Sequence, residues 1–411
     1  MNFSHDALMK PFFNTFGQCE KPPLSKDDKT LFQSILTTLY NDIYQANSTI
    51  FKEGCFQSQV IEQKSDFKQP EGKNSRYFPS HIQKYVKSNE QYQLIFTCQN
   101  VSQREITIIF TLFEKEQLNQ IKLYTQYVRM MYIWLHICGQ YAEKYCTETL
   151  NIFIYPTPFV KKLPTNPATV IGPEHINTAF TMACATNGQI IIFREEEWFK
   201  VFIHETFHSY GLDFATQEHS GLKHILREIF PIDSDFDIYE AYTETWARII
   251  NCAFCSFNAL PDKKDKKNFL LNLNFCFELE RMFAIYQCIK ILGFMGLRYE
   301  DLYRSKDAKA TYLHNLYKEN THVFAYYIMT AIFLNDHQGF MLWCKKNNTR
   351  LLKFKVSSDS FKSFENYISS VYDCISLLNS LGQMGTLNAK VNKSKNTELM
   401  STTRMSLIHT I

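Results

Sequence analysis

One change of pattern constrains the fold of this chain more than any other feature. Between residues 91 and 193 short β-type runs recur, and after Arg194 the sequence turns helical and stays so. Strands gathered ahead of helices predict an α+β fold rather than a regular βαβ alternation. Gln93–Cys98 and Glu105–Phe113 flank a polar stretch at 99–104 and read as a hairpin. Residues 117–145 read as a long helix, apolar at Ile121, Leu123, Tyr124, Val128, Met131, Leu135 and Ile137. A strand over 150–155 is stopped by Pro156. Runs over 176–184 and 189–193 are joined across Asn187-Gly188, which predicts a second hairpin.

Past Arg194, three carboxylates (Glu195, Glu196, Glu197) are expected in a first helical turn, where the helix dipole favours them. Further helices are expected at 238–257, 264–296, 308–334 and 359–380. With 13 Gly and 12 Pro in 411 residues, little interrupts long helices. Ahead of the strands, Ser25 opens a helix to about Asn47, with Leu31, Ile35, Leu36, Leu39 and Ile43 as its apolar stripe. Residues 64–80 read as a polar loop. The expected divisions are 1–85, a partly irregular N-terminal region; 86–213, a sheet-containing lobe; 214–384, a helical lobe; and 385–411, a polar tail expected to be mobile.

A hydrophobic fraction of 45% and a charged fraction of 21% exclude a disordered chain for the bulk. Forty-four basic against 41 acidic residues give a net charge of +3, which argues against a nucleic-acid partner. Met1–Gly17 carries Asp6 and Lys10 without an apolar core, so no secretion signal is expected. No membrane span is expected either. The most apolar helical stretch, 124–146, holds Arg129 and His136, and 323–334 is too short for about 30 Å of hydrocarbon. Twelve cysteines without a secretion signal read as reduced thiols in a cytoplasmic compartment. The bias toward Phe, Tyr, Lys, Asn and Ile suits an A/T-rich genome.

The chemistry is concentrated in Trp198-Phe-Lys-Val-Phe-Ile-His-Glu-Thr-Phe-His208. His204 and His208 are four apart, on one face of a helix and about 6 Å apart along its axis. Two imidazoles so spaced can hold one Zn²⁺ at about 2.0–2.1 Å. Glu205, about 100° round the helix, reaches water at the metal without being a ligand, the position of a general base. The helix is otherwise apolar, with Trp198, Val201, Phe202, Ile203 and Phe207.

A third ligand has two candidates. Glu240 lies in Tyr239-Glu-Ala-Tyr-Thr-Glu-Thr-Trp-Ala-Arg248, four residues before Glu244. One of these carboxylates can bind metal while the next accepts the outer N–H of a ligand histidine, and Arg248 can orient Glu244. The plain alternative is a solvated Glu/Arg helix face. The other candidate is Asp213, just past Gly211, which can end the helix in a left-handed turn. Asp213 can equally cap or shape that turn.

Together these motifs resemble the gluzincin group of zinc metallopeptidases, which pairs HExxH on one helix with E-x-x-x-[DE] on a later one. Glu240-Ala-Tyr-Thr-Glu244 matches the second motif, 31 residues after His208. The wording Arg194-Glu-Glu-Glu-Trp-Phe-Lys-Val-Phe-Ile-His-Glu is similar to metallopeptidases encoded by large cytoplasmic DNA viruses. The resemblance covers roughly residues 91–260. It implies a zincin-like core: a mixed β-sheet with a backing helix in an upper lobe, and a mainly α-helical lower lobe. It implies His204, His208 and Glu240 as zinc ligands, Glu205 as general base and Glu244 as a carboxylate behind a ligand. It further implies an oxyanion-stabilising side chain, for which Tyr242, His322, Tyr326 and Tyr327 are all candidates. A peptide or protein substrate would add to an edge strand, 176–184 or 189–193.

Weaker features read plainly. Cys252 and Cys255 form a lone CxxC in an apolar helical stretch and read as buried thiols. His219, His224 and the run Lys263–Lys267 read as surface groups, and Lys390, Lys393 and Lys395 are too sparse for nucleic acid. Two functional readings follow: a zinc peptidase in the cytoplasm (the host cytoplasm or a virion, if viral), or an inactive zincin-fold structural or interaction protein such as a virion component. Substrate specificity and oligomeric state stay open.

Overall fold

A computed structural model of the chain describes residues 8–13, 24–53, 56–71, 77–98, 100–303, 308–394 and 396–409. The sequence readings at 1–7, 14–23, 54–55, 72–76, Gln99, Lys395 and 410–411 lie outside the described residues. In chain order the elements are α1 (Lys10–Phe13), α2 (Lys26–Glu53), β1 (Gln57–Ile61), α3 (Ser80–Asn89), β2 (Tyr92–Cys98) and β3 (Glu105–Leu112). Next come α4 (Ile121–Tyr141), β4 (Thr149–Ile154), α5 (Pro173–Ile176), β5 (Ala179–Thr181), β6 (Asn187–Ile192) and α6 (Trp198–Ser209). The remainder is helical: α7 (Ser220–Ile229), α8 (Ile238–Asn258), α9 (Lys266–Phe294), α10 (Ala308–His314), α11 (Thr330–Asn335), α12 (His337–Asn347), α13 (Ser358–Val371), α14 (Ile375–Ser394) and α15 (Thr397–Ser401). A π-helical turn, Phe324–Met329, runs into α11.

These elements form a mixed α and β fold of two compact units. One comprises residues 38–161 and 177–216, the other 1–37, 162–176 and 217–411. The division differs from cuts at 85, 213 and 384. The second half of α2 and all of β1 and α3 belong with the sheet, and residues 385–411 belong with the helices.

The sheet unit carries six strands in the order β1-β2-β3-β4-β6-β5. β1, β2 and β3 pair antiparallel, β3-β4 and β4-β6 pair parallel, and β5 closes one edge antiparallel. Alternation along the strands sends Ile95, Ile109, Phe153 and Ile191 to one face, in one continuous register. There they meet Ile82 and Val86 of α3. On the other face Phe110 packs edge-on to Tyr124 of α4 and to Trp198 of α6. The backing helix expected over 117–145 is therefore α4, entered through a 3₁₀ segment at Lys115–Gln120.

The second predicted hairpin needs correction. Asn187-Gly188 is not its turn but the first two residues of β6, paired parallel to Thr149 and Leu150 of β4. A side chain at Gly188 would meet the Thr147 methyl at 2.6 Å, so glycine here permits close packing. β5 shrinks to three residues, and β6 lies between β4 and β5, so 189–193 is not an edge. The turn lies at 182–186 instead. There Cys184 is joined to Cys146 in a disulfide, which corrects the expectation of twelve reduced thiols. Hydrogen bonds Thr147 N–H to Ala185 O (2.9 Å) and Thr149 N–H to Thr186 O (3.2 Å) bring the two segments side by side.

In the helical unit α8 packs on α9, and α9 also meets α11 and α14. The helix expected over 308–334 is broken. Its middle, 315–323, is a loop held by Glu319, whose carboxylate accepts from Ser234 Oγ (2.6 Å), Tyr317 OH (3.0 Å) and Phe324 N–H (2.7 Å). The helix expected over 359–380 divides at 372–374, where Tyr299 OH donates to Tyr372 O. The described residues of the polar tail, which the sequence reads as mobile, are largely helical or buried. α14 runs to Ser394, α15 follows, and residues 402–408 are buried. No helix among the described residues is long and apolar enough to cross a membrane.

Candidate metal centre

Strand β6 leads into α6 through a short turn at 193–197, built by the residues of the three-glutamate run. Glu197 takes a left-handed conformation (φ 60°) ahead of Trp198, so the three glutamates precede the helix instead of forming its first turn. They anchor the segment after β4. Glu197 forms a buried ion pair with Lys161, and Glu196 accepts the Lys161 N–H at 2.7 Å. Burial lowers the Lys161 pKa, against the pull of Glu197. Arg194 donates to Asn177 O (2.9 Å) and Phe159 O (3.2 Å).

All twelve residues of α6 are buried, so it is enclosed all round rather than amphipathic. Trp134 of α4 fixes its rotation: the indole N–H donates to Thr206 Oγ1 at 2.5 Å and the ring stacks on Phe207. The helix ends in two paired hydrogen bonds, Leu212 N–H to Phe207 O (2.9 Å) and Gly211 N–H to His208 O (3.0 Å), around Gly211 at φ 61°. That is a Schellman motif, which a left-handed glycine makes at low cost. Cys184 N–H also donates to His208 O at 3.0 Å.

The turn delivers Asp213 back to the helix it leaves. One Asp213 oxygen meets His208 Nδ1 in a short contact, and the other accepts from Ala215 N–H at 3.0 Å. Asp213 therefore shapes the turn and stands as a carboxylate behind His208. A proton on Nδ1, held by Asp213, leaves the Nε2 lone pair of His208 free as a ligand. That Nε2 lies 3.1 Å from His204 Nε2. For two nitrogens about 2.05 Å from a tetrahedral zinc the separation is about 3.3 Å. The imidazole pair fits the ion.

In the helical unit, Glu240 stands in the first turn of α8, with its carboxylate at the centre of a polar cluster. Tyr326 OH donates to Glu240 Oε2 at 3.0 Å, and His322 Nε2 lies 3.9 Å from Oε1. His322 Nδ1 lies 3.5 Å from Asp237 Oδ2, and Asp237 Oδ1 accepts from Lys223 Nζ at 2.7 Å. The sequence reading passed over Asp237. Its only signal was a place one residue before the first turn that holds Glu240.

His204, His208 and Glu240 form a group of three buried residues, each with one ligand atom within 4.8 Å of the others. Glu205 is buried on α6 beside them in sequence. Asp213 is not in the group, so the two candidates for third ligand separate: Glu240 joins the histidines and Asp213 stands behind one of them.

The remaining candidates also separate. Tyr242 is fully buried among Phe340, Phe354 and Phe364, donates to Leu352 O (3.1 Å) and accepts from Asn348 (2.8 Å). Tyr327 donates to Thr403 O at 2.5 Å. Both are committed to the core, whereas His322 and Tyr326 stand at Glu240. Glu244 is fully buried on α8. Arg248 does not orient it; its guanidinium binds Glu280, Nε to Oε2 at 2.5 Å. Cys252 and Cys255 are buried thiols whose pKa values are raised, by burial at Cys252 and first by hydrogen bonding to Cys276 at Cys255. His219 and His224 do not belong to the metal-ligand group.

Comparison of the chain with protein-family models, with curated proteins and with solved structures finds no match.

Proposed function

We propose that this chain is a zinc-dependent peptidase of gluzincin type, with a zincin-like core. The observation that carries the reading is the buried group of His204, His208 and Glu240. Two imidazoles and one carboxylate are the donor set of a hydrolytic zinc site with a position left for water. The ion, when bound, polarises a scissile carbonyl and acidifies water.

The residues supply the rest. Asp213 holds the tautomer of His208 and raises its basicity as a ligand. Glu205 takes the proton of the attacking water and gives it to the leaving amine. Tyr326 and His322, both at Glu240, are the donors for the developing oxyanion. A peptide would add along β5, the edge strand beside β6.

The test is Glu205→Gln. Zinc content should stay near one per chain while hydrolysis of a peptide library falls about 10²–10⁴-fold. Undiminished hydrolysis by the variant would sink the role of Glu205. A wild type that holds zinc and cleaves nothing would favour the structural or interaction reading.

A further inference from the structure

Residues 399–409 are held in the helical unit in an unusual way. From Thr402 to Ile408 the segment belongs to no helix or extended strand, yet every residue of it is buried. Buried polar side chains line its course, and most of them bind its main chain. Glu280 Oε1 accepts from Leu407 N–H (2.7 Å), Ile408 N–H (2.8 Å) and Ser406 Oγ (2.8 Å). Asn251 donates to Ile408 O at 3.0 Å and Gln287 to Arg404 O at 2.5 Å. Lys290 donates to Leu399 O (2.9 Å) and Thr402 O, and Tyr327 OH donates to Thr403 O (2.5 Å).

These donors and acceptors lie on regular faces. Glu280, Gln287 and Lys290 recur at i, i+7 and i+10 on α9, and Arg248 and Asn251 at i and i+3 on α8. Each is a stripe of charge and amide set among buried apolar residues of its helix. Such a stripe makes sense only with an occupant. Glu280 and Lys290 are ionisable groups almost fully removed from water, and burial lowers the Lys290 pKa strongly. Arg248 satisfies one oxygen of Glu280, and the segment satisfies the other. Met405, Leu407 and Ile408 bury apolar side chains as well, but apolar packing alone calls for no such polar stripe. Recognition of main-chain N–H and C=O groups is one way in which proteins bind peptides.

We propose that α8, α9 and the π turn at 324–329 form a main-chain-reading peptide channel, that residues 399–409 are its occupant in cis, and that the channel accepts this segment as a separate peptide. The ligand class is a peptide in this same irregular conformation, with free N–H groups at the positions of Leu407 and Ile408 turned to one carboxylate oxygen, and small or apolar side chains around them.

The experiment uses the full chain with a specific protease site inserted after Ser394, cut in the folded state. The excised fragment should stay bound through gel filtration at micromolar concentration. A fluorescent peptide of residues 397–409 should exchange into the cut protein with a rise in anisotropy. The same peptide with Leu407→Pro, which lacks one N–H to Glu280, should compete about 10–100-fold more weakly. A scrambled peptide should not compete. Glu280→Gln in the cut protein should weaken the native peptide while retaining helical circular dichroism. Release of the fragment on cutting, with or without loss of helical signal, overturns the proposal. So does equal competition by the Leu407→Pro or scrambled peptide.

Discussion

The Tyr326 hydroxyl donates a hydrogen bond to Glu240 Oε2 at 3.0 Å. Tyr326 belongs to a π-helical turn, and Glu240 is the carboxylate grouped with His204 and His208. A π turn adds one residue per turn and re-aims side chains, which is why such turns recur at functional sites. Tyr326→Phe should keep zinc binding and lower kcat by about 10²-fold, the usual cost of one oxyanion donor. Steady-state kinetics beside zinc analysis checks it. A variant that loses zinc and activity together would mean the hydroxyl only orients Glu240.

Glu240 and Asp213 should answer differently to removal. Elemental mass spectrometry of Glu240→Ala should find zinc lost. Asp213→Ala should keep zinc with an affinity about 10–100-fold weaker, because it loses only the hydrogen bond behind His208. Zinc lost in Asp213→Ala and kept in Glu240→Ala would exchange the two roles.

Gly211→Ala should cost about 1–2 kcal/mol. A left-handed φ of 61° penalises a Cβ, and that atom would stand 3.1 Å from Cys146 Sγ. Calorimetry should show a lowered unfolding temperature. Zinc affinity should fall as well, since the same turn aims Asp213 at His208. An unchanged midpoint and affinity would show the turn to be tolerant.

Glu319 predicts a pH dependence. Burial of its carboxyl raises the pKa to about 7, against hydrogen bonds from Ser234, Phe324 and Tyr317. The folded state then binds a proton that the unfolded state releases above its ordinary value near 4.5. This stability is fully present below about pH 4.5 and is lost as pH rises to about 7. The slope approaches about 1.4 kcal/mol per pH unit at most. Glu319→Gln should remove that slope. Denaturant midpoints of both proteins from pH 4 to 8 check it, and parallel curves would refute it.

Local chemistry made much of the candidate site legible. Histidines four apart on a helix must share a face, and Gly211 marks where that helix stops. The order of strands before helices likewise carried the fold class. What escaped depends on contacts distant in sequence. Asn187-Gly188 has turn chemistry, but parallel pairing with β4 and the proximity of Thr147 decide its place. Arg248 lies four residues from Glu244, yet it binds Glu280 on another helix. Spacing cannot tell a carboxylate that would bind a metal from one behind a histidine, so in sequence Asp213 is a candidate for either. Residues 402–409 looked mobile because their partners, Glu280, Gln287 and Lys290, stand more than a hundred positions earlier.

Reading of the main chain sets unusual rules for substitution along residues 402–408. A main-chain carbonyl belongs to every residue type, so Gln287 and Lys290 place little constraint on which side chain stands opposite them, while Glu280 also binds the Ser406 hydroxyl. Volume, the Ser406 hydroxyl on Glu280 and the loss of N–H in proline are the filters that remain, the last acting at 407 and 408 and also at 402 and 404, whose N–H groups meet Glu398 O and Thr402 Oγ1. Relatives of this chain should therefore drift more in wording there, the hydroxyls at 403 and 406 apart, than in the acid, the amide and the lysine on α9. Their kinship would be written more in the helix faces that hold the segment than in the segment itself.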